Sequence, residues 1–351
     1  MIDRPEDLTA EWVTAVLRAT DADAHVHAVT VEPIGTGQTG ASFRVHLDGD
    51  GDLPATLVAK TAAGDRAARE RVAPGYRSEV GFYTVFRDRV RIRTPRCWYA
   101  EISDDSCSFV LLLDDLAPAR PGVQADGCTV DQAADAVRNL AGLHAPVWND
   151  PSLSDERAWL AAMSGARAAF LGTITEQAAE QFVARYGDEL GDDAETLRRA
   201  AALAGRWLAI DTGSRALVHG DYRLDNLMFP EHGDGVVALD WQTLAIGPPG
   251  RDLAYFLATS VLVDDRRAHE SALVAEYLDE LRRIGVEDYS FDQCFADYRL
   301  GVLQGPMITM IGCAYATATP SASADAMFLA MATRSCAALR DLGSLELVER
   351  G

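Results

Sequence analysis

Two short apolar runs in the middle of the chain, Leu217-Val218-His219-Gly220-Asp221 and Val236-Val237-Ala238-Leu239-Asp240, each end in an aspartate. Both are too short for helices and rich in branched residues, so they read as buried strands set into surroundings that otherwise read as helix. Between them lies the densest polar cluster of the chain, His219 to Asn226, with Asp221, Arg223, Asp225 and Asn226 within six residues. Any fold for this sequence has to deliver those side chains from the ends of small strands inside a mainly helical body.

The first third has a different character. Thr9 is placed as an N-cap, with Leu8 stapling onto Val13, so a short leading helix is expected. Val29 and Val31 then run into Pro33-Ile34-Gly35-Thr36-Gly37-Gln38-Thr39-Gly40, after which Phe43, Val45 and Leu47 alternate with Ser42, Arg44 and His46. That is strand, glycine loop, strand. After the turn cluster Asp48 to Asp52, Thr56 to Lys60 makes a third strand. Pro74-Gly75 is expected to break the chain, and Glu79, Phe82, Tyr83 and Phe86 share one stripe of the helix that follows. A glutamate on an apolar stripe needs a partner.

Cys107 to Leu113 reads as a strand buried on both faces, ended by Asp114-Asp115-Leu116-Ala117-Pro118, where a hinge is expected. Beyond it, Val130–Val147, Asp155–Tyr186, Asp193–Ile210, Leu253–Val263 and Arg267–Ile284 read as alanine-rich amphipathic helices, with more between Phe291 and Leu345. The domain expectation is therefore 1–113 for a β-rich N-lobe and 114–351 for a helical C-lobe.

Composition narrows the partners. A formal charge of -21 repels nucleic acid and anionic membranes, and neither is expected to bind. No stretch of about 18 uncharged apolar residues occurs, and Met1 to Thr20 carries charges where a signal peptide is apolar. The six cysteines show neither a C-x-x-C pair nor zinc-ligand spacing, so they read as reduced thiols in a cytoplasmic protein.

Gly35-x-Gly37-x-x-Gly40 by itself fits a dinucleotide site, a phosphate-covering hairpin or a plain turn. Because the strand that starts near Ser42 follows it where a dinucleotide fingerprint would open a helix, the phosphate-covering hairpin fits better, with a plain turn still open. Lys60 stands out by count: the chain holds 31 arginines and this one lysine. An ammonium is a compact charge on a slim stem, suited to phosphates, and Glu79 is its expected partner. Phosphoryl transfer needs a carboxylate to deprotonate the attacking hydroxyl, which Asp221 can supply, and oxygen ligands for Mg²⁺, which Asn226 and Asp240 can supply.

The pattern H-G-D-x-x-x-x-N followed by an apolar-D resembles the aminoglycoside phosphotransferase and choline kinase-like families. Leu239-Asp240-Trp241-Gln242 looks most like their ecdysteroid kinase-like branch. The resemblance runs from Gly35 through Lys60, Glu79, the Leu111 to Leu116 hinge and Leu140-Ala141-Gly142-Leu143-His144 to Asp252. It implies a two-lobed α+β protein-kinase-like fold with ATP in the cleft between lobes and γ-phosphate transfer to a hydroxyl of a small molecule. Residue by residue, it implies that Asp221 is the base and that Asn226 and Asp240 hold magnesium. Lys60, paired with Glu79, would hold the phosphates under the Gly35, Gly37, Gly40 and Ser42 loop. Backbone groups near Asp114 and Leu116 would meet the adenine, and Arg223 would neutralise charge on the transferred group.

Gln242 departs from the glycine of the protein-kinase D-F-G, and the short Gly247-Pro248-Pro249 stretch leaves no room for an activation segment, which disfavours a protein kinase. A nucleotide-binding module without turnover is the other alternative. In the family pattern His219 and Asp252 brace the catalytic loop, and His144, on the Val137-Leu140-His144 stripe, reads as a satisfied core histidine. Tyr298, Gln304, Met307 and Met310 are acceptor-lining candidates for which core packing is the better reading, and the arginines from Arg87 to Arg96 read as one solvated strand face.

Overall fold

The computed structural model describes residues 2–20, 22–35, 40–155, 159–160, 163–231, 235–316 and 321–350. The chain divides into two compact units, the first made of Met1–Asp88, Thr94–Pro118 and Asp240–Thr243, the second of Arg89–Arg93, Ala119–Leu239 and Leu244–Gly351.

In the first unit, α1 (Ala10–Arg18) starts where Thr9 Oγ1 accepts the Trp12 amide at 3.2 Å. It covers one face of an antiparallel five-stranded sheet, β1 (Ala24–Ile34), β2 (Gly40–Gly51), β3 (Thr56–Ala62), β4 (Cys97–Ile102) and β5 (Phe109–Asp114), in the order β1-β2-β3-β5-β4. The period-2 alternation sends Val45, Leu57, Ala59, Val110 and Leu112 into a core with Val13, Val16 and Leu17 of α1. Lys60 points to the other face. It lies opposite Ser42 of β2 and Leu111 of β5.

The helix α2 (Arg66–Gly81) is capped by Asp65, whose Oδ1 accepts the Ala68 amide at 2.8 Å. It does not break at Pro74-Gly75 but runs through them, because good helix formers precede the proline and only one backbone donor is lost there. A π-helical turn, Phe82–Phe86, ends it.

The second unit contains the short strand β6 (Arg120–Pro121), then α3 (Val130–His144) with a Thr129/Gln132 capping box, α4 (Ser152–Asp155), α5 (Gly165–Leu190) and α6 (Asp193–Leu208). The two apolar runs become β7 (Ala216–Val218) and β9 (Val237–Ala238), accompanied by β8 (Leu227–Phe229) and β10 (Ala245–Gly247). After them come α7 (Gly250–Ser260), α8 (Val263–Ile284), α9 (Phe291–Gly301), α10 (Gln304–Ala314), α11 (Ala322–Leu342) and α12 (Ser344–Arg350). Among the described residues no helix is long and apolar enough to cross a membrane, and all six cysteines carry free thiols.

One expected strand is not a strand. Val90 and Ile92 are buried while Arg91 and Arg93 are exposed, as the alternation requires. Yet the segment forms no strand of its own: the Arg91 amide donates to Gly142 O at 2.8 Å and the Arg93 amide to Asn139 Oδ1 at 2.8 Å, both on α3, and its one backbone bond to a strand among the described residues is from the Ala238 amide of β9 to Arg93 O at 2.9 Å. Alternation reports one buried face, and here a helix provides it. Gly142 leaves room for this, since a Cβ there would lie 2.9 Å from the Arg91 backbone.

Candidate functional site

In the first unit four residues meet in a closed ring. Lys60 Nζ donates to Glu79 Oε1 at 2.7 Å and lies 3.5 Å from Asp240 Oδ2. Gln242 Nε2 donates to Glu79 Oε2 at 3.2 Å, and the Gln242 backbone amide donates to Asp240 Oδ1 at 3.3 Å. The Glu79 side chain is 2% exposed and that of Asp240 41%, so one carboxylate is an interior anchor and the other faces outward. Burial pushes the Glu79 carboxyl above the usual range, with Lys60 pulling the other way. Burial also disfavours the Lys60 ammonium, but Asp240 and Glu79 outweigh it and hold its pKa up. The lysine stays charged.

Local structure explains the ring. Asp240 has φ +63, a left-handed backbone that non-glycine residues adopt rarely, and it turns the carboxylate out of the strand-like run before it. Trp241, next in the chain, stacks on Phe82 of the π-helical turn with ring centroids 3.5 Å apart and an interplanar angle of 3°. On the β2 side, a Cβ at Gly40 would lie 3.4 Å from Lys60 Cε and 3.2 Å from Thr61 O, so a glycine lets the lysine stem pass. Gly35 has φ +71 at the end of β1, which glycine adopts without strain. Gly37 lies outside the described residues. Asp114 Oδ1 accepts from Trp98 Nε1 at 2.7 Å, and Asp115 Oδ2 accepts from Arg44 Nε at 2.6 Å, fixing the segment that leads to Leu116.

In the second unit the loop after β7 presents Asp221. Gly220, with φ +81, makes the turn. Asp252 of α7 braces it: its carboxylate accepts the His219 amide at 2.6 Å and the Gly220 amide at 2.9 Å. His219 bonds to Leu239 O through Nε2 at 2.9 Å, so that nitrogen carries the proton and Nδ1 accepts the Asp221 amide at 3.3 Å. His144, fully buried, bonds to Tyr277 Oη at 2.7 Å.

The Asp221 carboxylate is held at both oxygens. Tyr255 Oη donates to Oδ1 at 2.7 Å, and Asn226 Nδ2 donates to Oδ2 at 2.9 Å and to the Asp221 carbonyl at 2.8 Å. Arg223 Nε lies 3.2 Å from the same carboxylate while its Nη1 bonds to Asp225. Burial works against the Arg223 charge, but Asp221, Tyr255 and Asp225 hold the guanidinium pKa well up. Burial and the neighbouring Asp221 charge push the Tyr255 phenol far above its ordinary pKa, so it remains a donor.

Two contributors escaped the sequence reading. Tyr255 passes for one more apolar residue of α7, although it lies three positions after Asp252 and so on the same face. Gln124, fully buried, accepts the Leu224 amide through Oε1 at 2.9 Å, donates through Nε2 to Thr259 O at 2.9 Å and gives its backbone amide to Asp225 Oδ1 at 3.1 Å. An isolated glutamine between turn residues gives no such signal. Tyr298, Gln304, Met307 and Met310 are all buried: Tyr298 bonds to Glu270, Gln304 to Gly220 O, and Met310 belongs to the core between α5 and α11.

A family model described as the phosphotransferase enzyme family matches residues 30–290. Among solved structures, the chain is similar to the Plasmodium vivax ethanolamine kinase, at 12% identity and TM-score 0.53 over 92% of this chain and 87% of that one. It is similar to a microcompartment-associated aminopropanol kinase at 17% identity and TM-score 0.51, covering 96% and 99%. The GDP complex of wild-type aminoglycoside 2'-phosphotransferase-IIIa gives 12% and 0.51, covering 93% and 98%. At such identities the likeness carries the fold, which is α+β and protein-kinase-like. Two curated proteins match in part: mouse acyl-CoA dehydrogenase family member 10, 33% identical over 106 residues, and chicken acyl-CoA dehydrogenase family member 11, 42% identical over 55. These matches cover 25% and 14% of this chain, and the chain spans only 10% and 7% of the length of those relatives.

Proposed function

This chain belongs to the phosphotransferase enzyme family, and from that premise we propose that it is an ATP- and Mg²⁺-dependent kinase acting on a hydroxyl group of a small molecule. The observation that carries the reading is the Asp221 carboxylate, held at Oδ1 by Tyr255 and at Oδ2 by Asn226 yet about a quarter exposed. A structural aspartate has no need to keep an open edge while its orientation is fixed this firmly. A general base needs both.

In this reading the acceptor hydroxyl oxygen forms a bond to the γ-phosphorus, the bond from that phosphorus to the β–γ bridging oxygen breaks, and ADP leaves with the electron pair. Asp221 takes the hydroxyl proton. Arg223 supplies positive charge beside the base, at a place set by Asp221 and Asp225. Lys60, backed by Glu79, holds the nucleotide phosphates under the loop that includes Gly35, Gly37, Gly40 and Ser42, with backbone near Asp114 and Leu116 meeting the adenine.

Asp240 and Asn226 fit magnesium in different ways. The outward Asp240 carboxylate is a hard oxygen donor, and the Asn226 amide, with Nδ2 committed to Asp221, leaves Oδ1 as its ligand-type atom. Magnesium characteristically takes one or two protein oxygens and completes its shell with phosphates and water, and when bound it would neutralise charge on the β- and γ-phosphates. The residues Leu239-Asp240-Trp241-Gln242 favour the ecdysteroid kinase-like branch, and reduced cysteines favour the cytoplasm.

The test is ADP release from ATP and Mg²⁺ across a panel of hydroxylated metabolites and antibiotics, with Asp221→Asn as control. An acceptor-dependent signal that the variant lacks is the expected result. A signal of equal size in Asp221→Asn would remove Asp221 from the chemistry.

A further inference from the structure

The ring of Lys60, Glu79, Asp240 and Gln242 contains one member to which kinase chemistry gives no task. Glu79 is 2% exposed, and a carboxylate that deep needs donors at both oxygens. Lys60 supplies one. At Oε2 the donor is the side-chain amide of Gln242, a neutral group that satisfies the oxygen without competing for the lysine's role as sole cation of the ring. The same residue's backbone amide bonds to Asp240 Oδ1.

The helix α2 is shaped to receive it. Gly75 and Glu79 are one turn apart on the same face. A Cβ at Gly75 would lie 3.3 Å from Gln242 Cβ and 3.5 Å from Gln242 Oε1. The Pro74-Gly75 pair inside α2, poor for a helix on propensity alone, thus leaves a slot beside Glu79 in which the Gln242 side chain lies. On the other side of Gln242, Trp241 is stacked on Phe82.

We propose that Gln242 is a positioning residue of the nucleotide site. Through its side chain it fixes the orientation of Glu79, and through its backbone that of Asp240, so that the phosphate-binding ammonium and the metal-binding carboxylate are presented together before any ligand arrives. Its task as part of a nucleotide site rests on the kinase reading of Lys60 and Asp240. The anchoring of Glu79 does not.

Because the chain has a single lysine, the ring carries its own reporter. Acylation of Lys60 by a small amine-reactive ester, followed by peptide mass spectrometry to separate it from the N-terminus, reads how firmly the ammonium is held. Calorimetry with Mg·ADP reads the consequence for binding. Gln242→Leu is expected to raise the labelling rate of Lys60 and to weaken Mg·ADP, each by about tenfold, the equivalent of one lost hydrogen bond to a buried charged group. Gly75→Val, which presses on Gln242 from α2, should do the same in smaller measure.

The decisive comparison is a double-mutant cycle. With Glu79→Ala as background, Gln242→Leu should change neither readout further, because the oxygen it served is gone; a residue that only packs would cost the same in both backgrounds. Equal effects in the two backgrounds, or unchanged labelling in a Gln242→Leu variant with a wild-type melt, overturn the proposal. Should Gln242→Leu fail to fold, Gln242→Ala removes the same side-chain donor without adding bulk or charge, and labelling no faster than wild type then overturns it. Mg·ADP that fails to protect Lys60 in the wild type sinks the nucleotide-site reading instead, while the labelling cycle still decides whether Gln242 anchors Glu79.

Discussion

Replacing Lys60 by arginine tests whether the site needs a charge or an ammonium, and the surroundings say which. Nζ sits 2.7 Å from Glu79 and 3.5 Å from Asp240, and the side chain is 13% exposed. Its stem runs past Gly40, where even a Cβ would be 3.4 Å from Cε. A guanidinium is planar, wider and seeks two acceptor oxygens side by side. It can reach Glu79 only by pushing on Gln242, which already occupies Oε2, or by moving into the space that the proposed nucleotide site gives to phosphates. Losing one properly placed cation on a phosphoryl group costs on the order of 10²-fold in kcat/KM, about 3 kcal/mol of transition-state stabilisation.

Lys60→Ala should lose as much activity and more stability, since it leaves a carboxylate at 2% exposure without its cation, a change worth about 3–5 kcal/mol where such pairs are broken. The assay is steady-state kinetics of both variants with a thermal melt of each. If Lys60→Arg keeps more than about a third of the wild-type kcat/KM, the ring does not discriminate shape. Lys60 is then a generic charge.

Asp221→Asn is expected to abolish transfer while ADP affinity stays within a few-fold, measured by calorimetry alongside turnover, because the base acts on the acceptor. Asp240→Ala should remove most of the magnesium dependence of nucleotide binding, and equal ADP affinity in EDTA and in Mg²⁺ for the wild type would contradict a metal role. Tyr255→Phe, which deletes the 2.7 Å bond to Asp221 and leaves the ring in place, should lower kcat by about 10- to 100-fold without changing ADP binding. In an Asp221→Asn background the same substitution should cost far less, and an undiminished cost would make Tyr255 a packing residue.

The sequence carried these groups unevenly, and the differences have physical causes. Lys60, Glu79, Asp221 and Asp240 are legible because each is a polar residue at the end of an apolar run or on an apolar stripe, where only a partner or a task keeps it, and Asn226 only by its spacing from Asp221. Partners defined by a fold rather than by a spacing leave no such mark. Tyr255 is indistinguishable from a core aromatic until its hydroxyl is found 2.7 Å from Asp221, and Gln124 stands alone between turn residues until the Leu224 amide, the Thr259 carbonyl and the Asp225 carboxylate converge on it.

Pro74-Gly75 misleads for the opposite reason. Local propensity calls for a break, yet the helix continues, and the face it offers, Gly75 then Glu79, receives a side chain from more than 160 residues away. A local rule broken at a site of packed polar residues is itself informative. Gly75 leaves the room in which Gln242 lies, and that occupant is the residue by which this chain departs from the D-F-G glycine.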